Sequence, residues 1–314
     1  GATPTPPDAL SFTRALALAL VHQPGLAARR DEASAASRLA QASKAAFFPH
    51  LGLHAGEIVN GMKNGVPDFT TANGQREITA QVVLEQTLFD PRATAAIAAA
   101  QAGAEFAHYR VLQNRFAVAG MVARTYYTLQ RQHAAIVIWK LAATQSRADL
   151  NAAQRGLRAG VRTRLDLLRL QTALRQAQQE LTQVRLQRST SARLLMLMTG
   201  LSTLPALATP PPIRSDFTLP PLAHTQRAAL HRQPALAMAR SQRRRAAALL
   251  ADARAARWPR AQLQAAYGWD TLNTPGDTPA GWSAGISVSM PLFNAGELRD
   301  RASAARLRLS AARA

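Results

Sequence analysis

Residues 91–158 read PRATAAIAAAQAGAEFAHYRVLQNRFAVAGMVARTYYTLQRQHAAIVIWKLAATQSRADLNAAQRGLR, with no proline after Pro91. Glycine occurs in this stretch only at positions 103, 120 and 156. Because proline and glycine are the residues that interrupt helices, the stretch predicts one helix of roughly 68 residues, about 100 Å long. No ordinary globular domain accommodates a helix of that length.

The helix is expected to turn back at residues 155–163, which read RGLRAGVRT. A second helix then runs to about Thr199, and its apolar residues alternate in spacing between three and four, as in a coiled-coil seam. Residues 91–200 are therefore predicted to form a long antiparallel helical hairpin. The seam residues are Leu167, Leu170, Leu174, Ala177, Leu181 and Val184.

The plan of the chain occurs twice. Pro24 and Pro49 are 25 residues apart, and so are Pro234 and Pro259. TLFDPR at 87–92 is matched by PLFNAG at 291–296. A complete second copy would need on the order of 100 residues beyond position 314, so the second repeat is expected to be truncated.

The predicted order is a tail at 1–7, a helix over 8–48 capped by Asp8, two strands within 49–90, the hairpin over 91–200, a proline-rich linker over 201–221, a helix over 222–257, two strands within 258–293 and the start of a second long helix at 294–314.

The predicted strands alternate between apolar and polar residues. In the last strand, Trp282, Ile286 and Val288 share one face, and Ser283 and Ser287 lie on the other. Strand lengths of 10–12 residues with one apolar face are typical of transmembrane β-strands. We predict a lipid-facing surface, with its aromatic residues toward the connecting loop. The residues assigned to it are Tyr267, Trp269, Trp282, Ile286 and Val288.

A half-buried sheet of a soluble protein shows the same alternation. Helices about 100 Å long, however, do not form a compact soluble core against which the four strands could pack. Four strands also cannot close a barrel, and open sheet edges are not tolerated in lipid. Closure must then come from other copies of the chain, and three copies would supply a barrel of twelve strands.

The composition narrows the classes of function. The formal net charge is +20, carried by 35 Arg and 3 Lys, and cysteine is absent. The arginines are spread along the helices, which favours solvated helix faces over a nucleic-acid site. His50 and His54 fall on a strand, too far apart for a shared metal ion. The common nucleotide, hydrolase and zinc-protease motifs do not occur, so neither an enzyme nor a bound cofactor is expected.

The order of elements, the duplicated plan, the turns TLFDPR and PLFNAGELR, and AGVRTRLDLLRLQTAL at the hairpin resemble the TolC family of outer-membrane efflux proteins. The resemblance extends from about residue 8 nearly to the end of the chain. It implies a mainly helical fold with a membrane β part, in which helical hairpins form a periplasmic tunnel and a trimer forms a 12-stranded barrel. It also implies a passive exit duct in the outer membrane, serving drug or metal efflux or type I protein secretion.

The resemblance further implies a homotrimer contacting outer-membrane lipid, a periplasmic adaptor protein and an inner-membrane transporter. The tip of the hairpin would meet the adaptor. The tip residues are Gly160, Val161, Thr163, Leu165, Asp166 and Leu167. Two other interpretations remain open from the residues: a soluble arginine-rich helical scaffold or nucleic-acid-binding protein, and a membrane anchor that does not conduct.

Overall fold

The computed structural model describes residues 9–59, 61–63, 66–67, 76–208, 218, 220–270 and 280–313. The predictions for the tail at 1–7, for Asp8 as a helix cap and for most of the first interstrand loop lie outside these residues. The described helices are α1 (Phe12–His22), α2 (Pro24–Ala42), α3 (Pro91–Arg158), α4 (Arg164–Thr199), α5 (Leu222–Arg232), α6 (Pro234–Ala255) and α7 (Glu297–Ala311). The described strands are β1 (His50–Val59), β2 (Met62–Lys63), β3 (Val66–Pro67), β4 (Arg76–Phe89), β5 (Arg260–Asp270) and β6 (Ala280–Ser289).

The two helices predicted over 8–48 and 222–257 are each divided by a proline. Pro24 begins α2 directly after α1 has ended at Gln23, and Pro234 begins α6 after Gln233. Proline lacks the N–H that a continuing helix requires, but its fixed φ suits the first helical turn. The prediction of one continuous helix in each repeat was therefore wrong. Ser11 caps α1, because its Oγ accepts a hydrogen bond from the Arg14 N–H at 3.2 Å.

The long hairpin consists of α3 and α4. A helix of 68 residues rises about 100 Å. In α4 the predicted seam residues are buried or half-buried, and most positions between them are exposed. Helix α3 carries a matching stripe of buried and half-buried residues, which are spaced alternately four and three positions apart. Such paired stripes are typical of a coiled coil. The stripe on α3 comprises Val118, Val122, Thr125, Leu129, Gln132, Ile136, Trp139, Ala143, Ser146, Leu150 and Ala153.

The chain divides into two compact units. The first comprises Gly1–Arg29 and Val111–Ala228, and its core joins α1, α3, α4 and the segment after α4. In this core Leu10 pairs with the chain at Leu207, and the Tyr126 hydroxyl donates to the Leu10 carbonyl at 2.9 Å. Burial raises the pKa of Tyr126 above its ordinary value. The core residues are Leu10, Ala15, Ala19, Val118, Val122, Tyr126, Leu129, Leu195 and Met198.

The second unit comprises Arg30–Arg110 and Ala229–Ala314 and contains a four-stranded antiparallel sheet in the order β1-β4-β5-β6. Strands β2 and β3 pair separately within the first interstrand loop. Gly268 lies where β4 approaches closely, since a Cβ there would fall 2.2 Å from the Ala80 carbonyl oxygen. Strand β6 ends at Ser289, short of the predicted limit at 293, because Pro291 cannot donate to a strand ladder.

In the second unit, α6 contacts both α7 and the first turns of α3. Leu250 of α6 packs against Ala305 and Leu309 of α7. The first turns of α3 bind α6 by charge, through Arg92 with Asp252 at 3.2 Å and through Glu105 with Arg244. These contacts fix where the helices continue from the strands. No described helix has an apolar stretch long enough to cross a membrane.

Candidate functional site

The tip of the hairpin begins where α3 ends. Gly160 adopts a left-handed conformation with φ of +74°, which costs glycine little and other residues more. The Gly160 N–H donates to the Leu157 carbonyl at 3.2 Å, and the Val161 N–H donates to the Gly156 carbonyl at 2.9 Å. These two bonds form the Schellman motif that satisfies the last carbonyls of a helix. Gly160 therefore sets the point at which the chain reverses.

The returning helix begins with a reciprocal cap. The Asp166 N–H donates to Thr163 Oγ1 at 3.2 Å, and the Thr163 N–H donates to Asp166 Oδ2 at 3.1 Å. The Thr163 hydroxyl also donates to Asp166 Oδ2 at 2.8 Å. This arrangement is a capping box, with aspartate in the position usually held by glutamate or glutamine. The two long helices are thus joined by only five residues, 159–163.

The environment of Asp166 favours its charged form. Hydrogen bonds from the Thr163 side chain and backbone lower the pKa of the Asp166 carboxyl below its ordinary value. A small desolvation effect opposes this shift, and the positive charges of Arg162 and Arg169 add to it. The carboxylate also lies in the first turn of α4, at the positive end of the helix dipole. Asp166 is therefore a partly exposed, fixed negative charge among arginines.

The tip also exposes apolar side chains. Val161 is 78% exposed and Leu165 is 55% exposed, whereas Leu167 is half-buried at the start of the seam. Leu168, one helical turn after Leu165, is exposed as well and was missed by the sequence prediction, although the three-residue spacing could have indicated it. The six predicted tip residues therefore separate into turn formers, one seam residue and a small exposed surface of apolar groups beside a charge.

A pH dependence of the tip follows from the lowered pKa. The Asp166 cap is fully present above the ordinary carboxyl pKa of 3.8 and is lost as the pH falls through the lower, folded-state value. We expect faster amide hydrogen exchange in residues 164–168 at that pH, after correction for the intrinsic pH dependence of exchange. Thr163→Ala should loosen the same amides at every pH, by about 1 kcal/mol. An unchanged acid transition in Thr163→Ala would contradict the coupling between the two residues.

The second candidate surface is one face of the four-stranded sheet. Opposed residues of antiparallel strands lie on the same side, so the strand register defines each face. One row runs through Leu53, Val82, Tyr267 and Trp282, and a second pairs Leu263 with Ile286. The register places the five predicted lipid-facing residues on this one face. Further apolar members that the strand register adds are Leu51, Ala55, Ala80, Leu84, Ala261, Ala265 and Ala284.

A bulge in β4 places Phe89, and not Leu88, at the end of this apolar face. The register shifts between Thr87 and Phe89, so that Phe89 stands opposite Ala261, which in turn stands opposite Val288. Without the extra residue, Phe89 would lie on the polar face. Within the face, Glu57 and Gln86 stand out as polar members.

The opposite face is mostly polar, with glycine, alanine and serine residues between its larger polar side chains. One row runs from His50 through Glu85 and Gln264 to Gly285. Arg260 donates to Ser289 Oγ at 2.9 Å across the last strand pair. His50 and His54 stand opposite Glu85 and Gln81 respectively, and no group of three possible metal ligands occurs among the described residues. The two faces therefore differ sharply in chemistry, although both are solvent-exposed in the single chain.

Comparisons with known proteins relate this fold to a family. Residues 15–201 match the sequence model of a family described as outer membrane efflux protein. Protein CyaE of Bordetella pertussis is 29% identical to this chain over 320 residues, covering 96% of the chain and 65% of CyaE. The chain thus spans about 65% of the length of that relative.

Solved structures have the same fold. A membrane protein from Pseudomonas aeruginosa superposes with a TM-score of 0.82 at 20% identity, covering 96% of this chain and 69% of that chain. The outer membrane protein VceC from Vibrio cholerae has a TM-score of 0.82 at 18% identity, with coverage of 96% and 73%. These likenesses confirm the predicted fold class of long helical hairpins with a four-stranded antiparallel sheet.

Proposed function

Because this chain belongs to the outer membrane efflux protein family, we propose that it is part of a passive exit duct formed by three copies of itself. In this arrangement the three sheets close a 12-stranded barrel in the outer membrane, and the helical hairpins form a tunnel through the periplasm. The family confirms the predicted location in the outer membrane. The duct would serve an efflux pump or a type I secretion system.

The observation that carries this proposal is the sheet with one apolar and one polar face. A continuous apolar surface across four exposed strands is far larger than soluble monomers usually present to water. Among the described strands, none pairs with the outer edge of β1 or of β6, and open edges are not tolerated in lipid. Pairing β6 of one copy with β1 of the next removes every edge and places the polar face toward a lumen.

The tip supports the proposed contact with a periplasmic adaptor. Its exposed Val161 and Leu165 lie beside a charged pattern of Asp166 and neighbouring arginines. Small apolar groups ringed by charge are typical of transient docking surfaces. An inner-membrane transporter would then supply the substrate through the adaptor. The choice of substrate would rest with those partners, because the duct acts as a conduit and no catalytic step is assigned to it.

The soluble scaffold is the second candidate and conflicts with the exposed apolar sheet face. The arginines that suggested nucleic-acid binding are distributed over α3, α4, α6 and α7, and several of them pair with carboxylates, including Arg92, Arg110, Arg244 and Arg301. A sequence-independent nucleic-acid site requires a positive surface that follows the phosphate backbone over several nucleotides, and arginines scattered over separate helices do not provide one. We therefore favour the duct.

The oligomeric state and conductance test the proposal together. The full-length natural protein, purified in detergent, should have the mass of a trimer by light scattering. Inserted into planar bilayers, it should produce uniform conductance steps that scale with bulk electrolyte. A stable monomer would contradict the barrel, whereas a trimer without conductance would identify the chain as an anchor and not a duct.

A further inference from the structure

A groove between α6 and α7 gathers four arginines. Arg254 lines it from the last turn of α6, Arg257 from the turn that follows α6, and Arg299 and Arg306 from α7. Leu250 forms part of the floor, where the two helices pack against each other. All four arginine side chains are exposed, and the spacing of seven residues places Arg299 and Arg306 on one face of α7.

The positive charge of this groove is not neutralised by the protein. Among the described residues, none of the four arginines forms an ion pair. Of the carboxylates nearest in sequence, Asp252 pairs with Arg92 and Glu297 with Arg301, and the described structure shows no ion pair between Asp300 and any of the four arginines. Four like charges held side by side repel one another unless an anion lies between them. The groove is therefore chemically complementary to an anion that accepts several guanidinium hydrogen bonds, as phosphate does.

The position of the groove indicates where that phosphate comes from. Trp258 lines the groove and is 62% exposed, and only Pro259 separates it from the start of β5. Exposed aromatic residues also stand at the other three junctions between the sheet and the helical segments, at Phe48, Phe89 and Phe293. Exposed aromatic rings at the ends of transmembrane strands are typical of the interface between hydrocarbon and headgroups. The arginines follow directly on the helical side of that interface.

We propose that this groove binds the phosphate headgroup of an anionic phospholipid, from the outer-membrane leaflet that faces the periplasm. This rests on the proposed function, since it requires the sheet to lie in the membrane. The acyl chains would pass Trp258 toward the apolar face of β5 and β6, and the arginines would hold the phosphate. Three such sites would surround the base of the barrel and fix its depth in the bilayer.

The chain offers a matched control on the same two helices. Arg245 and Arg308 line a separate stretch of the α6 and α7 surface, about two turns farther from the strands. Arg254→Gln/Arg299→Gln and Arg245→Gln/Arg308→Gln remove the same charge from the same helices. Both variants should assemble like the wild type, because all four side chains are exposed.

The test is native mass spectrometry of the full-length protein taken from nanodiscs containing equal amounts of phosphatidylglycerol and phosphatidylcholine. Wild type and Arg245→Gln/Arg308→Gln should retain phosphatidylglycerol preferentially. Arg254→Gln/Arg299→Gln should bind it more weakly, by about fivefold for each arginine removed. Added inorganic phosphate should displace little of the lipid, since it lacks the acyl chains that Trp258 contacts.

Each other outcome contradicts the inference. Equal lipid loss in both variants would indicate general attraction to a positive surface, and complete displacement by inorganic phosphate would indicate a free-anion site. A changed anion selectivity in planar bilayers, without lipid loss, would place these arginines in the lumen. Trimer mass and conductance are measured on the same samples. An intact conducting trimer without bound lipid therefore refutes only this inference, whereas absence of the trimer refutes the proposed function.

Discussion

Replacing Ile286 by arginine is expected to prevent the protein from accumulating as an assembled trimer in the outer membrane. Ile286 is 66% exposed and stands opposite Leu263 on the apolar face of the sheet. An arginine on the lipid face near the bilayer midplane costs about 2–4 kcal/mol. The cost would recur in every copy of the barrel, so a marginal assembly would not survive it. The measurement is the amount of trimer in outer-membrane fractions.

The adjacent residue provides the control for this experiment. Ser287 stands opposite Gln262 on the polar face, so Ser287→Arg places the same side chain in the proposed lumen. It should be incorporated at normal levels, with a lower single-channel conductance. Equal loss of trimer in Ile286→Arg and Ser287→Arg would show that the two faces have been assigned wrongly or that neither lies in lipid.

Replacing Asp166 by arginine is expected to stop export while leaving the trimer in the membrane. The substitution reverses a fixed charge that the capping box holds at the tip. Docking to an adaptor with a complementary surface should weaken by about tenfold or more, because like charges at a contact are unfavourable. Adaptor pull-down and export are measured in the same cells as the trimer content.

Two further variants separate docking from folding of the tip. Thr163→Ala removes the partner of Asp166 in the cap without reversing a charge. Asp149→Arg makes the same charge change on α3, where Asp149 accepts a hydrogen bond from Gln145. Both should export nearly normally in proportion to their trimer content. If Asp166→Arg also loses export only in that proportion, then Asp166 is a structural cap and the docking role is wrong.

The strongly patterned parts of the fold could be predicted from the sequence. The helix α3 lacks internal proline, and the structure shows it unbroken from Pro91 to Arg158. The alternation of apolar and polar residues in 282–288 identified an apolar face, because successive side chains of a strand point to opposite sides of the sheet. The breaks at Pro24 and Pro234 were missed because helical periodicity continues on both sides of each proline, and the pattern does not reveal a change of axis.

Features that depend on contacts between distant segments could not be predicted from the sequence. The register that joins β4 to β5, and so the two repeats, arises from contacts between residues about 170 to 190 positions apart. The bulge that returns Phe89 to the apolar face has no local signal either. At the tip, Thr163 and Asp166 were both predicted as tip residues, but the reciprocal bond from the Thr163 N–H to Asp166 was not foreseen, since aspartate is less usual there. The four-arginine groove likewise depends on how α6 and α7 pack.

The most direct test of the duct is whether the edge strands of different copies pair. Residues 1–314 contain no cysteine, so Ala55→Cys on β1 and Ala284→Cys on β6 introduce the two thiols of this stretch. Both residues lie on the apolar face of an outer strand, where a bifunctional thiol reagent bridges moderate differences in register. Cells expressing the full-length double variant are treated with this reagent, and the products are separated under denaturing conditions. A closed trimeric barrel predicts covalent dimers and trimers and nothing larger. Neither single-cysteine variant should form covalent trimers. A crosslink confined to one chain, or a ladder that continues beyond three copies, would contradict the closed trimeric barrel.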